Sequence, residues 1–446
     1  ETVKLDITGM TCDHCATGIE KLLTKNEGVK EANVSYPKAT CECSFDPTKT
    51  SKEEIINTIN STKNYRVKSE IPENGISGNN QFDLIIIGGG SAAFSAAIKA
   101  ESLGLSILMV NGGLNFGGTC VNVGCVPSKN LIRAGETAYH ATHSNFKGIK
   151  PKGVDIDFAQ VIKDKKKLVA TLQEKKYMDV VSDFENLKMI KGWAEFKDNK
   201  TIVVDGKTEY TSLKFIIATG ATTKIPNIEG LNEIDYLTNV SLFDIEEKPE
   251  SITIMGAGYI GLEIAMAYNR LGVKVRIIEF TDRVLRTQTP DISEALEIQM
   301  RKEGIEIFPN FRAVKFEKKG SETIIHCKGP DGLFTQITEM GKIVVASGTK
   351  PNTQKLGLQN IGLELNKMGN ILVNAKMETN LQNIYAIGDA TNTPAFVYTA
   401  AFEGKIAVEN AFSGAENKAD YTSLPWVVFT DPQIAGAGLD EAQAEA

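Results

Sequence analysis

The stretch QFDLIIIGGGSAAFSAAIKAESLGLSILMVNGG, residues 81–113, decides the fold. The apolar run LIII ends in three glycines, a helix of small residues follows, and a second apolar run, SILMV, closes the unit. Strand, glycine turn, helix and strand in that order form the βαβ frame that holds a dinucleotide at its first turn. Gly88 makes the turn, Gly90 lets backbone approach a pyrophosphate, and Ala93 keeps the helix close to the strand. Helix N–H groups then face the phosphates. At the end of the second strand Asn111 stands where a carboxylate is usual, so it can bond ribose hydroxyls only without a charge. Backbone at Gly113 lies nearby.

The same grammar returns in SITIMGAGYIGLEIAMAYNRLGVKVRIIEF, residues 251–280, where Gly256, Gly258 and Gly261 repeat the turn. Glu279 lies at the end of the second strand, placed to take the 2′-OH of NAD and to repel a 2′-phosphate. Arg283 and Arg286 just downstream could bind that phosphate instead, so NADPH and NADH both stay open. Two frames predict an α/β fold with two Rossmann-like domains and two dinucleotides.

Upstream, residues 1–69 read as strand, helix, strand, strand, helix, strand, a βαββαβ order of the ferredoxin-like kind. IPENGISGNN, 71–80, has no apolar period and reads as a linker. Between the first strand and first helix lies GMTCDHC, whose Cys12 and Cys15 can present two thiolates to a soft metal ion. A thioredoxin-type motif fits poorly, because the module is short and lacks that pattern. Cys41 and Cys43 alternate along a strand and share a face with Phe45, which predicts packing inside the module.

With 446 residues, 42% apolar and 24% charged, the chain is expected to fold into several domains. Its 49 Lys and Arg against 56 Asp and Glu give no global support for a nucleic-acid or anionic-membrane partner. No run is apolar enough to span a bilayer, and ETVKLDITGM lacks a signal peptide's features, so a cytoplasmic protein is expected. An odd count of seven cysteines argues for thiols kept reduced, for chemistry or metal binding.

A second close pair, Cys120 and Cys125 in TCVNVGC, precedes VPSKNLIRAGE, a stretch of helical periodicity. Thiols in the first turns of a helix are biased to thiolate and can cycle between dithiol and disulfide. A zinc half-site and two inert core cysteines are the competing readings.

GGTCVNVGCVPSK, 117–129, resembles the redox segment of the flavin-dependent pyridine nucleotide–disulfide oxidoreductases, and reads nearly letter for letter like the branch that reduces mercuric ion. IIATGA, ASGTKPN and IYAIGDA follow in that family's order, and the first 69 residues look like a heavy-metal-associated domain. The resemblance implies FAD in the first frame and NADPH or NADH in the second. It implies that Cys125 lies against the flavin, that Cys120 meets substrate, and that Lys129 sits near the flavin and pairs with Glu263. Asp389 would bind the ribitol; Thr119, Ala194 and Val397 match other flavin contacts, and Tyr177 matches a pocket tyrosine. Hg(II) is the implied substrate, captured by Cys12 and Cys15 and reduced at Cys120 and Cys125. A disulfide reductase of the lipoamide or glutathione type carrying a metal module, and a trafficking protein with an inactive flavin core, remain the alternatives. The implied plan is an FAD domain over 81–228 and 351–423, an NAD(P) domain over 229–350, and from 424 the opening of a C-terminal domain through which a homodimer would form.

Overall fold

The computed structural model describes residues 1–10, 13–36, 39–62, 64–71, 80–144 and 146–445; Cys12 lies outside them. The N-terminal module runs β1 (Thr2–Thr8), α1 (Asp13–Leu23), β2 (Val29–Ser35), β3 (Thr40–Phe45), α2 (Lys52–Asn60) and β4 (Arg66–Ile71), the expected βαββαβ order. Its strands form an antiparallel sheet in the order β2-β3-β1-β4. Alternation along β1 sends Val3, Leu5 and Ile7 to one face, where they bury against Ile19 and Leu23 of α1 and Ile55 and Ile59 of α2. Ser51 and Glu54 close a capping box at the start of α2.

The first glycine frame folds as β5 (Gln81–Ile87), α3 (Ser91–Ser102) and β6 (Ile107–Asn111). It is followed by α4 (Gly118–Val123), α5 (Cys125–Thr142), α6 (Phe158–Gln173), β7 (Leu187–Lys191), β8 (Ala194–Asp198), β9 (Thr201–Val204) and β10 (Thr208–Ile217). One sheet takes the order β7-β6-β5-β10-β9-β8, and the strand Ile384–Ala386 adds to β10 in parallel. The apolar run of β5 is buried on both sides, as a central parallel strand requires. The second frame supplies Ser251–Met255 and Lys274–Ile278, central strands of a separate five-stranded sheet, joined by the helix Tyr259–Arg270.

The chain divides into two compact units, one of residues 1–115, 181–220 and 353–419, the other of residues 116–180, 221–352 and 420–446. Residues 116–180 cluster with the second nucleotide frame. The reason is apolar burial: Leu131 and Ile132 of α5 and Phe158 and Ile162 of α6 share one core with Leu262 and Ile264 of the 259–270 helix. No helix among the described residues is long and apolar enough to cross a membrane.

Candidate active site

In the first unit, the turn after β5 is built on Gly88, which holds φ +132° and lies so close to Ala218 that a Cβ would come 2.1 Å from its carbonyl oxygen. Gly90 caps α3 without any side-chain hydrogen bond, and Ala93 is fully buried. Asn111 turns its amide onto Leu114 O at 2.8 Å and packs over Gly89, so its NH₂ is committed to the loop. Asn111, Gly113 and Trp193 line a cavity of about 300 Å³. Ala194, the first residue of β8, is buried beside it in sequence.

Two further features of this unit fit a bound FAD. Burial raises the carboxyl of Asp389 above the ordinary carboxylate range, the condition of a group that gains from hydroxyl donors. Val397 opens the helix 397–412, whose N-cap Phe396 offers no side-chain bond, and the buried hydroxyl of Thr399 in its first turn has no hydrogen-bond partner among the described residues. Glu403, fully buried on the same helix, was not singled out by sequence; it accepts from Gly388 N–H at 2.6 Å and so braces the turn that carries Asp389.

In the second unit, Gly256 makes the matching turn, with φ +111°, Gly261 is buried, and Gly258 caps the 259–270 helix, again without a side-chain bond. This leaves N–H groups that fit a coenzyme's phosphates. Glu279 is 6% exposed, and its carboxylate accepts from Ala257 N–H at 2.6 Å and from Thr281 N–H and Oγ1 at 2.7 Å each. The acid thus ties the glycine turn to the strand end. Arg283 pairs with Asp282 and reaches the carbonyls of Arg286 and Gln288.

The redox segment departs from a single helix. Cys120 lies in α4 and Cys125 is the first residue of α5, with Gly124 at φ −126°, ψ −112° breaking the two. A Cβ on Gly124 would come 2.9 Å from Thr119 O and 3.3 Å from Cys120 Cα, so only glycine lets the segment fold back this closely. Both cysteines are free thiols and half-buried, and Thr119 beside them is exposed. Cys125 is lowered from 9.0 to about 7, first because Cys120 donates a hydrogen bond to it, against burial, and then by the charge of Lys129. Cys120 is raised as the donor and by burial. Of the two, Cys125, at the positive end of an 18-residue helix, is the sulfur favoured as thiolate.

Lys129, one turn along α5, meets Glu263 of the 259–270 helix at 2.7 Å. Glu263 is 6% exposed, and its other oxygen accepts from Phe429 N–H at 3.0 Å. The Phe429 ring lies 4.5 Å from the lysine nitrogen. Phe429 carried no sequence signal; a backbone donor and a ring over a cation are visible only in the fold. Tyr177 sits in a π-helical turn, Glu174–Met178, that continues α6. Its ring reaches Gly117: a Cβ there would lie 3.3 Å from Tyr177 Cδ2. Gln173 on the same helix donates to Phe116 O at 2.9 Å.

In the N-terminal module Cys15 is half-buried in the first turn of α1, while Cys41 and Cys43 are fully buried.

A pyridine nucleotide-disulphide oxidoreductase family model matches residues 82–404, and a heavy-metal-associated domain model matches residues 4–66. The chain is 38% identical to a mercuric reductase of Staphylococcus aureus and 37% identical to one of Lysinibacillus sphaericus, in each case over 99% of this chain and 80% of the relative. Among solved structures, an HOCl-induced flavoprotein disulfide reductase, RclA, from Escherichia coli superposes with a TM-score of 0.72 at 27% identity, covering 81% of this chain and 79% of that one.

Proposed function

Because the chain belongs to the pyridine nucleotide-disulphide oxidoreductase family, in its mercuric reductase branch, we propose that it reduces Hg(II) to Hg(0) at Cys120 and Cys125 with electrons from NAD(P)H. The overall change is Hg(II) + NAD(P)H → Hg(0) + NAD(P)⁺ + H⁺. Bound FAD would supply the hydride-accepting and electron-donating chemistry that links coenzyme to thiols. The glycine turns at Gly88 and Gly256 would hold FAD and NAD(P)H respectively by their pyrophosphates, and Asp389 would hold the ribitol.

The observation that carries this reading is the geometry of the pair: Gly124 folds Cys120 back toward Cys125, which opens α5, with the Lys129–Glu263 ion pair one turn along. Cys125, lowered to about 7, is the readier thiolate for a soft cation, and Cys120 gives up its proton as the ion binds. Lys129 offsets the charge of the Cys125 thiolate before the ion arrives, and its ion pair with Glu263 holds the ammonium in place. Tyr177, aimed at the segment before Cys120, would line the pocket. Cys12 and Cys15 would capture Hg(II) as a two-thiolate complex and pass it by thiolate exchange, so the ion is never free. We place the protein in the cytoplasm, where NAD(P)H is supplied and thiols stay reduced, and as a homodimer.

The buried carboxylate of Glu279 at the second turn disfavours a 2′-phosphate. The NADPH rate is therefore expected to exceed the NADH rate by less than roughly a hundredfold, or about 2.8 kcal/mol. The deciding experiment is anaerobic release of volatile Hg(0) from thiol-bound Hg(II) with NAD(P)H, compared between wild type and Cys120→Ala. Release that needs neither cysteine overturns the reading, as does organic disulfide reduction in place of Hg(0).

A further inference from the structure

We propose that Asn239 is a positioning residue of the redox pair, pinning the loop between the two cysteines so that their sulfurs stay in reach of each other. Asn239 opens the short helix Asn239–Leu242, more than a hundred residues downstream of the pair. Its Nδ2 donates to the carbonyl of Val123 at 2.8 Å, inside the segment VNVG that separates Cys120 from Cys125. Its Oδ1 accepts from the Thr223 hydroxyl at 2.9 Å. The amide can be placed only this way round, because a flipped group would set its oxygen against a carbonyl oxygen. Thr223 thus fixes the orientation, and Asn239 transmits it to the loop.

The loop needs an outside anchor. Gly124 breaks the helix immediately after Val123, so no run of helical hydrogen bonds carries the geometry across to Cys125. Asn122 holds the near side from within, donating to Gly118 O at 2.9 Å. At the Val123 carbonyl the side-chain anchor is Asn239. Closing the disulfide against glutathione disulfide follows Cys120–SH + Cys125–S⁻ + GSSG → Cys120–S–S–Cys125 + GSH + GS⁻. Its equilibrium depends on how well the two sulfurs are held together, and a loop freed at Val123 lowers their effective concentration. The bond therefore favours the disulfide over two separated thiols.

The inference rests on the proposal that Cys120 and Cys125 cycle, and the test separates the two. Flavin-loaded full-length protein is equilibrated in glutathione buffers of graded ratio, and the oxidised fraction of the 118–129 peptide is read by differential alkylation and mass spectrometry. Asn239→Asp, which keeps the shape but loses the donor, and Asn239→Ala are each expected to weaken the disulfide about tenfold, or about 30 mV. Agreement between them shows that added charge is not the cause. Thr223→Val keeps the donor but frees its orientation and should give about a third of that effect in energy. Thermal midpoints track wild type in all three, which a merely structural role would not allow. Wild type that forms the disulfide with the same equilibrium constant as Asn239→Asp and Asn239→Ala overturns the inference alone. Wild type that never forms it overturns the redox reading and the inference together.

Discussion

Two cysteine pairs in this chain are close in sequence and opposite in chemistry. Cys41 and Cys43 lie two apart on one face of β3, fully buried among Val3, Leu5 and Ile19. Burial pushes the first up to about 12, with the charge of a Cys43 thiolate adding to it, and the second to about 11. Cys120 and Cys125 are also substantially desolvated, yet Cys125 falls to about 7. What separates the pairs is donors: the second has a neighbouring S–H, a lysine cation and a helix N-terminus aimed at one sulfur, and the first has a strand and apolar neighbours. Proximity alone makes no reactive thiol.

The largest effect that would break this contrast is on turnover. Cys125→Ala and Cys120→Ala are each expected to cut Hg(II)-dependent NAD(P)H oxidation by about a thousandfold or more, since the two sulfurs act as a unit. Cys41→Val and Cys43→Ala leave it unchanged. A comparable loss in the strand pair would erase the distinction.

Alkylation gives the next effect. A thiolate is the nucleophile, so a pKa lowered from 9.0 to about 7 means Cys125 reacts above about pH 7 and loses reactivity as pH falls through that value. In native protein Cys41 and Cys43 stay unlabelled over the same range. Lys129→Met removes one lowering charge and moves the Cys125 midpoint upward, toward the ordinary thiol value. An unmoved midpoint would assign the whole shift to Cys120 and the helix, and would take Lys129 out of the comparison.

Most of the fold could be read directly because it rests on local grammar. The apolar run LIII ending at Gly88 and the matching run ending at Gly256 need no tertiary information, and the period-two pattern of TCECSFD placed Cys41 and Cys43 in the core. The pairing of Lys129 with Glu263, implied only by resemblance, is present at 2.7 Å. Long-range contacts were invisible: nothing in the spacing of Asn239, Glu403 or Phe429 announces that they meet Val123, Gly388 and Glu263. Glu279 shows a different limit. Its place at a strand end signals a ribose contact, and only the fold shows that its carboxylate also accepts from Ala257 and Thr281. The break at Gly124 was hidden because VPSKNLIRAGE has helical period on one side only.

The smallest predicted effect sharpens the comparison from the inert side. A thiol whose native pKa is raised above its unfolded value lends stability that is fully present below the unfolded value and is lost as pH rises toward the native one. For Cys41 that window runs from 9.0 to about 12, and for Cys43 from 9.0 to about 11. The N-terminal module should therefore unfold at lower urea as pH climbs past 9.0, and Cys41→Val should flatten part of that slope while costing less than about 1.5 kcal/mol at neutral pH, because the swap nearly conserves volume. Cys43→Ser should cost more, about 1–3 kcal/mol, because it buries a hydroxyl where the sulfur sat among apolar side chains. The urea midpoint of the module in the full chain, followed by the methyl resonances of Ile19 and Ile55, measures both. If Cys41→Val leaves the alkaline slope as steep as in wild type, the strand pair is not the source of it, and the contrast between the two pairs reduces to reactivity alone.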